Sequence, residues 1–212
     1  MMQTLLLLAL LAAPPTATVD EKPGAPTPQR LVERYNAAVA RRELAPLVDC
    51  LAPDDRAVIN YSVVKFFLQR SGLLGNGTVP ETAAAQDVAA VLRRNGLGNI
   101  VEGKPLYSGD QVITDPNDRE GIRKRLRDVF AREGGDLLAG LMAAGHKHFS
   151  AETMADVDAI ANMFPAGPMS IDTLSLDRGT AKVSGHSCSL IRIDGRWYIT
   201  DLLDIRLEAK AK

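Results

Sequence analysis

The sequence predicts an α+β fold in which a helical amino-terminal two-thirds packs on a carboxy-terminal antiparallel meander. Two observations carry this. Apolar residues recur at three-four spacing from about Gln29 to Phe164, the periodicity of helices with one buried face. Beyond them, Val183 to Ile193 and Trp197 to Ile205 are β-rich runs joined at Asp194-Gly195, a dipeptide that supplies the positive backbone angles of a two-residue type I′ hairpin. A third run, Met169 to Leu176, precedes them across a turn at Asp177-Arg178-Gly179.

The amino terminus reads as a targeting segment. Leu5 to Ala13 is an unbroken apolar run, the length of a signal-peptide core and too short to span a bilayer. No Lys or Arg precedes it, and no Cys follows closely to anchor a lipid. The expected organisation is a leader over residues 1–19, a proline-rich linker over 20–28, and one α+β domain over 29–212. The protein is then expected in the periplasm or outside the cell, without a stable membrane anchor.

Within the helical part, Leu31, Tyr35, Ala38 and Arg42 form the stripe of a first helix. A short second helix is expected over Ala45 to Leu51, before Pro53. Asp54 or Asp55 is expected to cap a third, whose Val58-Ile59, Ser62-Val63 and Phe66-Phe67 repeat every four residues. Thr78-Val79-Pro80-Glu81 has the form of a capping box opening a helix through Val88, Val91 and Leu92. Asn99 to Val101 and Gln111 to Thr114 read as short strands. Asp115-Pro116 begins a helix carrying Ile122, Leu126, Val129 and Phe130. Leu137, Leu138, Leu141 and Met142 give a further helix ending at Gly145, and Ser150 caps another through Met154, Val157, Ala161 and Phe164.

At 212 residues and 46% hydrophobic content the chain can bury a proper core. Its net charge of −1 provides no global basic field, so nucleic acid is not an expected partner.

Leu31-Val32-Glu33-Arg34-Tyr35-Asn36-Ala37-Ala38 and Leu47-Val48-Asp49-Cys50-Leu51, followed downstream by Gly179-Thr180-Ala181-Lys182-Val183 and Ile193-Asp194-Gly195-Arg196-Trp197-Tyr198-Ile199, resemble secreted members of the NTF2-like (SnoaL-like, cystatin-like) superfamily. That resemblance implies a curved antiparallel sheet wrapped round helices into a cone with a pocket, and a homodimer paired through the sheet. It covers the first and last quarters of the mature chain; Val58 to Phe164 depart from the pattern. The superfamily includes isomerases, dehydratases and binding modules, so the fold alone does not name a function.

Three groups of residues carry candidate chemistry. With a two-residue Asp194-Gly195 loop, Ile193 faces Arg196, Arg192 faces Trp197 and Leu190 faces Ile199; continuing the register brings Cys188 opposite Asp201 and His186 opposite Leu203. His186, Asp201 and Cys188 then share an apolar face as a catalytic trio, the carboxylate orienting a general base beside an activatable thiol. The other reading is a His–Asp hydrogen bond at a sheet end with Cys188 as packing. His146 and His148, with Glu152, Asp156 and Asp158 following, have donor types that suit a divalent ion, but the spacing equally fits histidines at the negative end of a helix dipole, so no metal or other cofactor is assigned. Arg119, Arg123, Lys124, Arg125 and Arg127 are interleaved with acidic residues and read as a solvated helix face. The cysteines, Cys50 and Cys188, fit one disulfide or two buried thiols. Two functions follow as expectations. One is an exported, non-catalytic binding or accessory protein for a small apolar ligand or an envelope protein; the alternative is a small pocket enzyme of hydrolase, isomerase or dehydratase type using a His–Asp pair.

Overall fold

The computed structural model describes residues 22–73, 78–102, 127, 130 and 135–202. Its helices are α1 (Pro28–Arg41), α2 (Leu44–Asp49), α3 (Pro53–Arg70), α4 (Ala83–Arg94), α5 (Gly98–Val101), α6 (Gly135–His148) and α7 (Ala151–Ala161). The strands follow: β1 (Met169–Leu174), β2 (Arg178–Val183), β3 (His186–Ile193) and β4 (Arg196–Thr200). They form one antiparallel sheet in the order β1-β2-β3-β4.

Local sequence chemistry explains most boundaries. Thr27 caps α1 by accepting from the Arg30 amide, with proline at the first turn, and Ser150 caps α7 by accepting from the Thr153 amide. The cap of α4 is Thr82, whose side chain accepts from the Ala85 amide, rather than the expected Thr78. Pro80 explains the shift: it disfavours helical backbone at the residue before it. Pro53 itself starts α3, leaving Asp54 and Asp55 in the first turn. The Asn99–Val101 strand is not formed, because these residues belong to the single turn of α5; Gln111 to Thr114 lie outside the described residues, as does the helix expected from Asp115 apart from Arg127 and Phe130. Gly145 does not end α6, which continues through His148. A side chain there would collide with Met154 and Phe67, whose atoms lie 2.7 Å from where its Cβ would stand.

The sheet has four strands instead of the expected three. Val183 to Ile193 is not one run, since Ser184 and Gly185 take φ of 51° and 82° and turn the chain between β2 and β3. Both central angles are positive, as a two-residue hairpin requires. The second hairpin, at Asp194 and Gly195, has φ of 49° and 79°. Its register pairs Ile193 with Arg196, Arg192 with Trp197, Leu190 with Ile199 and Ser189 with Thr200.

Helix α1 lies against β1 and β4, with Leu31, Tyr35 and Ala38 buried. Its Asn36 amide group brackets β1, donating to the Met169 carbonyl at 3.2 Å and accepting from the Met169 amide at 2.6 Å. Behind it, α6 contacts α2, α3 and α4. The inner face of the sheet contributes Met169, Ala181, Val183, Cys188, Leu190, Trp197 and Ile199 to the core.

The general α+β arrangement agrees with the sequence, but the curved NTF2-like sheet does not form. Helices cover one face; on the other, Thr180, Ser189 and Ile191 are half-buried and Thr173, Arg178 and Lys182 exposed. The strands are only five to eight residues long, and the described register shows an irregularity only between Ile171 and Thr173; the sheet stays flat and open. Wrapping helices into a cone takes longer strands bent at repeated bulges. Among the described residues, no helix is long and apolar enough to cross a membrane.

Candidate functional site

The uncovered face of the sheet carries a hydroxyl row. Thr173 pairs with Thr180, Thr180 with Ser189, and Ser189 with Thr200. Directly opposed residues project to the same side, so four hydroxyls cross all four strands at about one strand spacing, roughly 4.8 Å. The Thr173 and Thr180 oxygens are 2.8 Å apart. At the other end, the Thr200 hydroxyl lies 3.4 Å from both Asp55 Oδ2 of α3 and Asp201 Oδ1. Having one hydrogen, it donates to one carboxylate at a time.

This row lines a groove of about 540 Å³, within the range of small-ligand sites. Leu174 and Ile191 give it apolar wall, and Arg178 and Asp201 give it one charge of each sign. Ser175 donates to the Arg178 carbonyl from both its amide and its hydroxyl, at 2.7 and 2.8 Å, which fixes the rim at that residue. Asp201 has φ 63°; aspartate tolerates this left-handed backbone better than most residues. The bend takes the chain out of β4 and leaves the carboxylate on the groove.

Of the predicted trio, Cys188 and Asp201 are neighbours, but their environments differ. Cys188 is buried and donates to the Ala181 carbonyl at 3.5 Å. Burial pushes its thiol up to about 11, the Asp201 charge adding to the rise. Cys188 is therefore a neutral thiol near neutrality. His186 is exposed at the start of β3, opposite Val183. No hydrogen bond joins it to Asp201 among the described residues, and Leu203, its expected partner, lies outside them. Cys50 is buried with its thiol pushed up to about 12, chiefly by burial; both cysteines are free.

The second histidine group makes a different pair. His148, at the end of α6, lies with Nε2 2.7 Å from Asp87 Oδ2 on α4, and Lys147 Nζ reaches the same oxygen at 2.7 Å. These hydrogen bonds, His148 first and Lys147 second, hold the Asp87 carboxyl below its usual range. His146 is exposed, and Asp156 pairs with Arg70 at 3.3 Å. Among the described residues, no three His, Cys, Asp or Glu side chains converge as a metal site would require. Arg127, of the basic run, pairs with Asp54 at 3.2 Å; Arg119, Arg123, Lys124 and Arg125 lie outside the described residues.

A further polar cluster lies beside the first residues of β4. Arg34 donates to the Lys22 and Gly24 carbonyls and pairs with Asp49 at 3.0 Å. Arg196 donates to the Lys22, Pro23 and Gly24 carbonyls. Ala25 and Trp197 exchange two backbone hydrogen bonds. The stretch expected as linker is thus bound from Lys22 onward, as a short strap along the outer edge of β4. Arg56 is buried beside Asp49 and Tyr198; burial draws its pKa down and Asp49 opposes the shift.

The groove escaped the sequence reading for one reason. Taking Asp177-Arg178-Gly179 as the turn and starting the next strand at Val183 left Arg178 and Thr180, both in β2, outside any strand. The signal was Ser184-Gly185, a turn dipeptide inside a β-rich run.

No protein-family model matches the chain, and neither a curated protein nor a solved structure was found that resembles it.

Proposed function

We propose that this protein binds a small polar ligand in the open-face groove, with the hydroxyls of Thr173, Thr180, Ser189 and Thr200 as its recognition surface. The hydroxyl row is the observation that supports this reading. Each hydroxyl can donate or accept, so the row suits a ligand rich in both kinds of group, whereas the apolar ligand expected from the sequence would strip water from the row's remaining donor and acceptor capacity at a cost.

A second reading, acid–base chemistry by a His–Asp pair, is favoured by the 2.7 Å contact of His148 with Asp87. There the histidine side chain is 14% exposed, and the carboxylate fixes the ring as a general base requires.

A thermal-shift screen of polar small molecules against the wild type, Thr180→Val and His148→Gln tests both. A ligand at a hundred times its Kd stabilises by about 2.7 kcal/mol, a shift of several degrees. The groove reading expects hits that Thr180→Val loses and His148→Gln keeps. The reverse pattern transfers the site to His148, and hits indifferent to both substitutions remove both readings.

A further inference from the structure

We infer that the ligand of the groove is a zwitterionic peptide of two or three residues, with its carboxylate against Arg178 and its amino terminus against Asp201. This rests on the groove reading above and specifies its ligand.

The charges lining the groove select the ligand. The other arginines and the lysine of the sheet are engaged: Lys182 with Asp172 at 3.2 Å, Arg192 with Asp177 at 3.8 Å, and Arg196 with the strap carbonyls. Arg178 and Asp201 make no ion pair with any described residue, and both line the groove. A ligand with one charge of each sign complements them.

The span between the charges limits its length. Strands β2 and β4 run parallel to each other with β3 between them. Thr180 and Thr200 stand level through Ser189; Arg178 is two residues before that level and Asp201 one residue after it. Two strand spacings of about 4.8 Å and three rises of about 3.4 Å put the two Cα atoms about 14 Å apart along the diagonal. A peptide of two or three residues, at about 3.5 Å each, fits within this diagonal.

Hydrogen-bonding groups lie along the diagonal. The Thr180 and Ser189 hydroxyls sit where the peptide's amide groups would pass, and each amide offers one donor and one acceptor. Ile191 and Leu174 supply apolar surface for a small side chain.

Isothermal titration of the full chain with Ala-Ala and Ala-Ala-Ala tests this, alongside the tripeptide's carboxy-amide and its N-acetyl derivative. Binding of at least one free peptide is expected, with each cap weakening it about tenfold. Arg178→Gln should erase the difference between acid and amide, and Asp201→Asn the difference between amine and acetyl. Capped peptides binding as well as free ones would overturn the inference, as would no binding of either free peptide. Maltotriose, a neutral polyhydroxyl probe, separates the two readings. If it binds and Thr180→Val abolishes this while the peptides fail, the groove reading stands and the peptide inference falls; if neither probe binds and the polar screen gives no Thr180-dependent hit, both fall.

Discussion

Strand β4 joins two polar regions that use the same chemistry differently. At its start, Arg196, with Arg34 and Tyr198, holds the carbonyls of Lys22, Pro23 and Gly24. At its end, Thr200 and Asp201 face the groove, across the sheet from Arg178, which makes no ion pair among the described residues. The strap end is closed because its donors meet backbone acceptors from the same chain. The groove end has hydroxyls, one cation and one anion with few partners among the described residues. Polar groups satisfied within the fold contribute to stability; polar groups grouped on an open face and left without partners are what a ligand can use.

The contrast is broken if the strap end proves dispensable. Asp49→Ala is expected to have the largest effect, about 3–5 kcal/mol of stability in urea unfolding, since Asp49 is nearly buried and its loss leaves Arg34 and Arg56 without their shared carboxylate. A loss below about 1 kcal/mol would show that the strap cluster does not hold the fold. Gly24→Ala comes next. Gly24 has φ 70°, and an added Cβ would stand 2.5 Å from the Tyr198 ring, so about 1–3 kcal/mol of destabilisation is expected. Wild-type unfolding in that variant would mean the strap can leave β4 without consequence. Arg178→Gln is expected to be smallest, within about 0.5 kcal/mol of wild type, because Arg178 is exposed and makes no ion pair with any described residue. Should Arg178→Gln destabilise as much as Asp49→Ala, the division between structural and ligand-facing arginines would be lost.

Part of the fold was legible because its determinants are local. The α1 stripe, the Ser150 cap and the register set by Asp194-Gly195 each depend on residues a few positions apart. The four-strand count was also local but was missed at Ser184-Gly185, where serine at a positive φ is a weaker signal than aspartate before glycine. The resemblance to a cone-shaped family failed for a different reason. Gly-Arg-Trp-Tyr-Ile describes one strand and its turn, whereas curvature belongs to the whole sheet, through strand length and bulges.

The candidate site was legible in its parts and not in its assembly. Hairpin register holds as far as Ser189 with Thr200, but it put Asp201 on the apolar face with Cys188, whereas the left-handed backbone there leaves its carboxylate on the groove; Asp55, on a helix 145 residues earlier, has no local signal. The sequence by itself determined that helices precede an antiparallel meander and which residues of its last hairpin face each other. Periodicity and turn chemistry act over a few residues. Only the tertiary structure decided that the sheet stays open, that Lys22–Ala25 complete its edge, and that Arg196 is engaged while Arg178 pairs with no described residue. Those outcomes depend on contacts such as Arg196 with Pro23, 173 residues apart, whose partners no local pattern specifies.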